Sequence, residues 1–291
     1  MTNTSTPALH FENPAAVRSA LSAQRYLTDA AIATTVHLAD ALSKPLLVEG
    51  PAGTGKTELA LSVAAATGSR LIRLQCYHGI DESRALYEWD YRKQLLAIQA
   101  AGTGAESDLT SVFSEEYLLS RPLLAAVRSV EPVVLLIDEV DQLDVEAEAL
   151  LLEFLSGYQV TVPELGTLRA VRPPLVFLTS NGNRDISDAL KRRCLYLHIG
   201  YPSVERESEI IHARVPGIDL LLAERIAEVV AVLRTMDFRK HPSVAETLDW
   251  ARTLQLLGTD PSDAALLEHA NVLLKSQSDI ELLKTQLTAT P

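Results

Sequence analysis

Two six-residue stretches, VVLLID at 133–138 and LVFLTS at 175–180, are apolar up to their last one or two residues and lack the polar alternation of a strand with one wet face. Short runs of this kind, bounded by turn residues, suit strands that are covered on both faces. LLV at 46–48, LIRL at 71–74 and LYLHI at 195–199 extend the series to five. Helix-length segments accompany them, one following Thr28 (AAIATTVHLADAL) ahead of the first strand and one after it, running through Ala60 to Ala66 with Gly68 as its cap. Strands that alternate with helices build an open, mostly parallel sheet, so an α/β fold with a five-stranded sheet is expected. After Pro202 only helical patterns remain: SVERESEIIHARV, LLLAERIAEVVAVLRTM, SVAETLDWARTLQLLG and a final pair. That change sets a boundary near residue 200, and 291 residues suffice for one sizeable core and a smaller helical domain.

Between the first strand and the next helix lies Gly50-Pro51-Ala52-Gly53-Thr54-Gly55-Lys56-Thr57, which fits G-x-x-x-x-G-K-[ST] in the strand–loop–helix context that a phosphate loop needs. Glycines let successive N–H groups turn inward around phosphate oxygens, and the helix N-terminus adds its positive dipole end. Lys56 is then placed for the β- and γ-phosphates, and the Thr57 hydroxyl for Mg²⁺. A Gly-rich turn beside a solvated lysine is the plainer alternative, and the strand–loop–helix context argues against it.

VVLLIDE ends in Asp138 and Glu139. An aspartate closing a buried strand can hold Mg²⁺ through water, and an acid directly after it can take a proton from an attacking water, which favours a hydrolase over a nucleotide kinase. LVFLTSN puts Asn181 at the tip of another strand, where its amide can orient that water; an asparagine after a strand is equally a routine turn residue. In DALKRRC, Arg192 and Arg193 precede the fifth strand. A basic pair there is either a solvated face or a finger that reaches a neighbour's nucleotide.

Composition excludes several classes. Lys+Arg 26 against Asp+Glu 38 gives a net charge of −12, without the basic field that draws proteins to nucleic acid or anionic lipid. The two cysteines, Cys76 and Cys194, lack metal-ligand spacing and are expected to be buried thiols in a reducing compartment. The N-terminal stretch has no basic region followed by an apolar one, and no apolar run approaches membrane-spanning length, so a cytoplasmic protein is expected.

GPAGTGKT, LLIDEVD, LTSN and ALKRRC, in that order and spacing, resemble an AAA+ ATPase over roughly residues 28–275. The resemblance implies a P-loop AAA+ core with a small all-α lid, sensor 1 at Asn181, an arginine finger at Arg193 and ATP held between subunits of a ring, usually a hexamer. The implied division is a lead-in over 1–27 (loose and polar over 1–13), a nucleotide-binding core over 28–200 and a lid over 201–291. Two further stretches, LQCYHGIDESRALYEWDYRKQLLAIQ (74–99) and HPSVAETLDWARTLQLLG (241–258), resemble the MoxR group and its CoxD-like branch. That branch implies a chaperone acting with a von Willebrand factor A domain partner on a client metalloenzyme, such as a molybdenum-containing carbon monoxide dehydrogenase. The pattern departs from MoxR relatives at sensor 2, where Ser243 follows Pro242 in place of an arginine; Arg239 and Lys240 are the nearby cations. The rival reading is a nucleic-acid motor or clamp-loader-like subunit, which ALKRRC also resembles, and a nucleotide-dependent scaffold with little turnover is a third.

Three local expectations complete the reading. AAGTGAESDLTS (100–111) is expected as a mobile loop. Gln159–Val162, a turn at Gly166 and Leu168–Val171 read as a β-hairpin, directed at a ring pore or lying as an ordinary surface hairpin. Tyr87, Trp89 and Tyr91 alternate and would share a face if extended, as core or as a partner surface.

Overall fold

The structure, a computed structural model, describes residues 10–101 and 113–289. Helices α1 (Pro14–Ala23) and α2 (Ala30–Leu42) lead into strand β1 (Leu46–Glu49), followed by α3 (Lys56–Thr67) and β2 (Arg70–Gln75). Then come α4 (Glu82–Ala85), β3 (Tyr87–Trp89), α5 (Tyr91–Ala101), β4 (Leu118–Ser120) and α6 (Pro122–Arg128). β5 (Val133–Asp138), α7 (Val145–Gly157), β6 (Gln159–Val162), β7 (Gly166–Arg169), β8 (Leu175–Ser180), α8 (Asp188–Lys191) and β9 (Leu195–His198) follow. The remaining elements are helical: α9 (Val204–Arg214), α10 (Leu220–Leu233), α11 (Val244–Leu257), α12 (Asp263–Glu268), α13 (Ala270–Leu273) and α14 (Gln277–Ala289).

The main sheet has five strands in the order β2-β5-β8-β1-β9, and the β2–β5, β5–β8 and β8–β1 pairs are parallel. The α/β fold with a mostly parallel five-stranded sheet is as expected, and helices alone follow β9. β5 and β8 are buried at every residue, which is why their sequences show no alternation. The register sets Gln75 opposite Asp138, and Ile137 opposite Leu178, so the C-terminal ends of three strands come level along one edge of the sheet. In open α/β sheets that edge is where ligands bind.

Two compact units divide the chain. Among the described residues, one takes the chain through Gln24, then Thr28–Glu49 and Thr57–Leu197; the other takes Arg25–Leu27, Gly50–Lys56 and the chain from His198. The first packs around the apolar faces of the sheet strands, α6 and α7. The second has its own core, with Trp250, Ile226 and Leu254 fully buried. Within it, Arg234 is nearly buried, ion-paired to Glu207 and stacked over Tyr201 at 4.5 Å, and its Nε donates to Pro242 O at 2.8 Å. That last bond holds the backbone just ahead of Ser243, which caps α11 in a capping box with Glu246.

Several local expectations change. Residues 14–23, read as lead-in, form α1, because Asn13 accepts from Ala16 N and Pro14 opens the first turn. Its Val17 and Leu21 lie on one face and are fully buried. The final pair of helices is three, α12 to α14. The hairpin forms, with its second strand beginning at Gly166, which pairs with Val162 at φ 79°. The loop expected at 100–111 lies outside the described residues from 102 onward, and residues 100–101 end α5.

The aromatic face is a correction. β3 stops at Trp89, and Tyr91 opens a helix, so the alternation ends before its third member. Trp89 is buried in the first unit's core, edge-on to Tyr87 at 6.3 Å and to Phe113 at 5.5 Å, whereas Tyr91 is 66% exposed. Trp89 thus anchors the β3–β4 pair and is no partner surface. Trp89→Ala is expected to cost about 3–5 kcal/mol, as large-to-small core changes do, measured by urea unfolding. A loss under about 1 kcal/mol would take the indole out of the core.

Candidate functional site

The phosphate loop runs from Gly50 to Thr57. Gly53 and Gly55 have φ of 72° and 94°, which side-chain-bearing residues rarely adopt, and a Cβ on Gly53 would strike the Ser243 side chain. Lys56 is buried, its Nζ donating to Gly50 O at 2.9 Å and to Pro51 O at 2.7 Å. Thr54 Oγ1 also donates to Pro51 O, at 2.9 Å. The loop is thus tied through its carbonyls. Among the described residues no backbone carbonyl accepts from the N–H groups of Gly53, Thr54 or Gly55. N–H groups that lack a backbone partner among the described residues, directly ahead of α3 with a lysine at its first residue, fit a phosphate.

At the sheet edge, Asp138 closes β5 with its side chain only 4% exposed. Its Oδ1 accepts from Thr57 Oγ1 at 3.0 Å and from Thr179 Oγ1, and its Oδ2 accepts from Arg73 Nη2 at 2.5 Å. Glu139 follows with left-handed backbone, φ 60° and ψ 50°. Its N–H donates to Thr179 Oγ1 at 2.9 Å, and its Oε2 accepts from Gln75 Nε2 at 2.9 Å. One hydroxyl, that of Thr179, therefore holds both acids: it accepts from the backbone of Glu139 and donates to Asp138. Cys76 lies beside this cluster, and burial followed by the charges of Asp138, Asp141 and Glu139 pushes its thiol up to about 12. Cys194 is partly buried, and burial lifts it also to about 12, so both free thiols are protonated at neutral pH.

Asn181 is half-buried directly after β8, two residues past Thr179. The loop beyond it is held by carboxylates. Asn183 N–H donates to buried Asp141 at 3.1 Å, and Glu148, on α7, pairs with Arg184 and accepts from Ser187 N–H at 3.3 Å. Ser187 then caps α8, at whose end Arg192 and Arg193 are exposed; neither is paired with a carboxylate among the described residues. At sensor 2, Arg239 and Lys240 are exposed and give their backbone N–H groups to Asp279 at 3.0 and 3.3 Å, while Ser243 is the residue beside Gly53.

The structure thus brings Thr57, Asp138 and Glu139 together, with Asn181 just past the end of the neighbouring strand. Reading the sequence missed Thr179, Arg73 and Gln75. Their only signals were a buried polar residue ending the LVFLT run and two polar side chains at alternate positions of β2. Thr57 and Asp138 offer adjacent hard oxygen donors, which fits Mg²⁺, an ion held by one or two protein groups plus phosphates rather than by a closed cage. Among the described residues no cluster of three or more His, Cys, Asp or Glu could hold a metal alone.

A strand, a phosphate loop, a helix and an acid pair closing a second parallel strand define a P-loop nucleotide-binding protein. The family model of the AAA domain, dynein-related subfamily, matches residues 45–194, and the chain belongs to that family. It is an AAA+ ATPase, of a family that generally uses ATP with Mg²⁺ and commonly assembles into rings. Every proposed site residue from Gly50 to Arg193 falls inside the match. An uncharacterized protein of Staphylococcus aureus (strain bovine RF122) is 27% identical over 223 residues, covering 73% of this chain and 76% of that protein. One from Staphylococcus haemolyticus is 26% identical over the same span. Among solved structures, the chain is similar to the Thermotoga maritima RuvB Holliday junction branch migration motor at 18% identity and a TM-score of 0.45, over 88% of this chain and 68% of that one. A variant of RuvB is similar at 19% and 0.45, with 66% of its length spanned. Among the described residues no helix is long and apolar enough to cross a membrane.

Proposed function

We propose that this chain is an ATP-hydrolysing remodelling ATPase of MoxR type, in which residues 28–200 form the nucleotide-binding core and 201–291 the lid. The observation that carries the hydrolytic reading is the acid pair: the Asp138 carboxylate accepts from Thr57, Thr179 and Arg73 and the Glu139 carboxylate from Gln75, so that one is placed to hold a cation and the other to act as a base. Gly50, Pro51, Ala52, Gly53, Thr54 and Gly55 cradle the phosphates, and Lys56 neutralises them. Thr57 and Asp138 hold the metal, which when bound offsets charge on the phosphate oxygens. Glu139 takes the proton of the attacking water, Asn181 orients that water, and Arg193 of a neighbouring subunit meets the charge that develops.

The work is delivered to protein. The net charge of −12 disfavours a nucleic-acid track, and the 74–99 and 241–258 stretches support the CoxD-like branch. The proposed partners are further copies of the chain in a ring, a von Willebrand factor A domain protein and a client metalloenzyme awaiting its metal cofactor, in the cytoplasm.

Lys56→Ala should weaken ATP binding by at least ten-fold, since the phosphates lose the loop's lysine, a role given to it on the basis of the phosphate-loop fit. Equilibrium binding of a fluorescent nucleotide reads this, and unchanged affinity would remove the loop from the site. Phosphate release assayed with and without DNA separates the two classes: strong stimulation by DNA would replace the remodelling reading with a nucleic-acid motor.

A further inference from the structure

We propose that Arg73 is a resident counter-cation of the metal-holding carboxylate, occupying Asp138 in the nucleotide-free chain and leaving it when a divalent cation arrives with a nucleotide's phosphates. This rests on the reading of Thr57 and Asp138 as the metal-holding pair.

Arg73 and Gln75 stand two residues apart on β2 and so project from one face, beside Asp138 and Glu139. Arg73 Nη2 lies 2.5 Å from Asp138 Oδ2 and 2.6 Å from Gln75 Oε1. The other end of that amide, Nε2, donates to Glu139 Oε2 at 2.9 Å. The two acids are thus both engaged by one polar pair, and the glutamine's orientation is set by the arginine.

The two ends of the ion pair differ in freedom. Asp138 is 4% exposed and belongs to a strand buried on both faces, while Arg73 is 51% exposed and on an edge strand. A buried carboxylate without a counter-charge is costly, and the hydroxyls of Thr57 and Thr179 both go to Oδ1, leaving Oδ2 to the guanidinium. A divalent cation bound to the same carboxylate would meet a positive charge at contact distance. The guanidinium can swing into water at little desolvation cost, and the aspartate cannot move. When Arg73 leaves, Gln75 loses the contact that fixes its amide, which frees Glu139 in the same event. Metal arrival and release of the base become one step.

The test uses the full chain and fluorescent ADP, titrated with Mg²⁺, with thermal unfolding in EDTA as a second readout. Arg73→Ala should reach half-maximal nucleotide binding at on the order of ten-fold lower Mg²⁺, within the usual range for coupled sites. It should unfold at lower temperature in EDTA, and Mg²⁺ with ADP should restore it more than it stabilises the wild type. Arg73→Gln, which keeps a hydrogen bond without charge, should shift the Mg²⁺ midpoint in the same direction and serves if the alanine variant does not fold. Adding Asp138→Asn to Arg73→Ala should recover stability in EDTA, because no buried charge is then left unpaired. An unchanged or raised Mg²⁺ midpoint in both Arg73 variants would overturn the proposal. Failure of the wild type to bind nucleotide at any Mg²⁺ concentration would instead overturn the reading of the site, and the proposal with it.

Discussion

Glu139→Gln is expected to bind ATP as tightly as the wild type and to lose phosphate release by roughly 10²–10⁴, the usual scale of a missing general base. The amide has the size of the carboxylate and can still accept from Gln75 Nε2, so the local structure has no reason to change. The backbone bond to Thr179 is also kept, because it uses the Glu139 N–H. What disappears is the ability to take a proton. Steady-state phosphate release beside nucleotide binding reads both halves of the expectation, and equal turnover in the two proteins would remove Glu139 as the base.

A larger loss, roughly 10³–10⁵ in rate, is expected for Arg193→Ala if the guanidinium serves as a finger. Arg193 follows the loop that Asp141 and Glu148 tie down, is exposed, and meets no carboxylate among the described residues. An unpaired arginine on a fixed surface position suits action across a subunit boundary better than action at its own phosphate loop. Mixing Arg193→Ala with Glu139→Gln should therefore restore part of the activity, since some boundaries then join an intact finger to an intact base. Absence of rescue in a mixture shown to co-assemble would sink the shared site and turn attention to Arg192.

The strands were legible because burial on both faces leaves runs of apolar residues that turn polar only at their C-terminal ends: VVLLID and LVFLTS name β5 and β8 to the residue. The loop and the acid pair were legible because their chemistry is local, a run of eight residues and a dipeptide. α1 went unread although Asn13-Pro14 is a helix-start signal, since its apolar stripe is only Val17 and Leu21. Trp89 and Tyr91 were paired by strand periodicity, and the chain turns helical between them. Arg73 and Thr179 escaped for a different reason. Each reaches Asp138 across 65 or 41 residues of chain, and only the order β2-β5-β8 makes them neighbours. A pairing that exists through sheet order leaves no trace in any window of sequence.

The left-handed backbone at position 139 bears on which acid can stand there. Asparagine and aspartate tolerate that conformation better than other residues with a side chain, and a longer acid holds it against local strain of about 1–3 kcal/mol. The chain nevertheless carries glutamate. One methylene separates the two acids, so what the longer one adds is reach: its carboxylate extends to Gln75 on the adjacent strand while its own N–H stays on Thr179. Position 139 is thus a place where side-chain length outranks backbone comfort, and an aspartate there would sit more easily while stopping short of the strand it now touches.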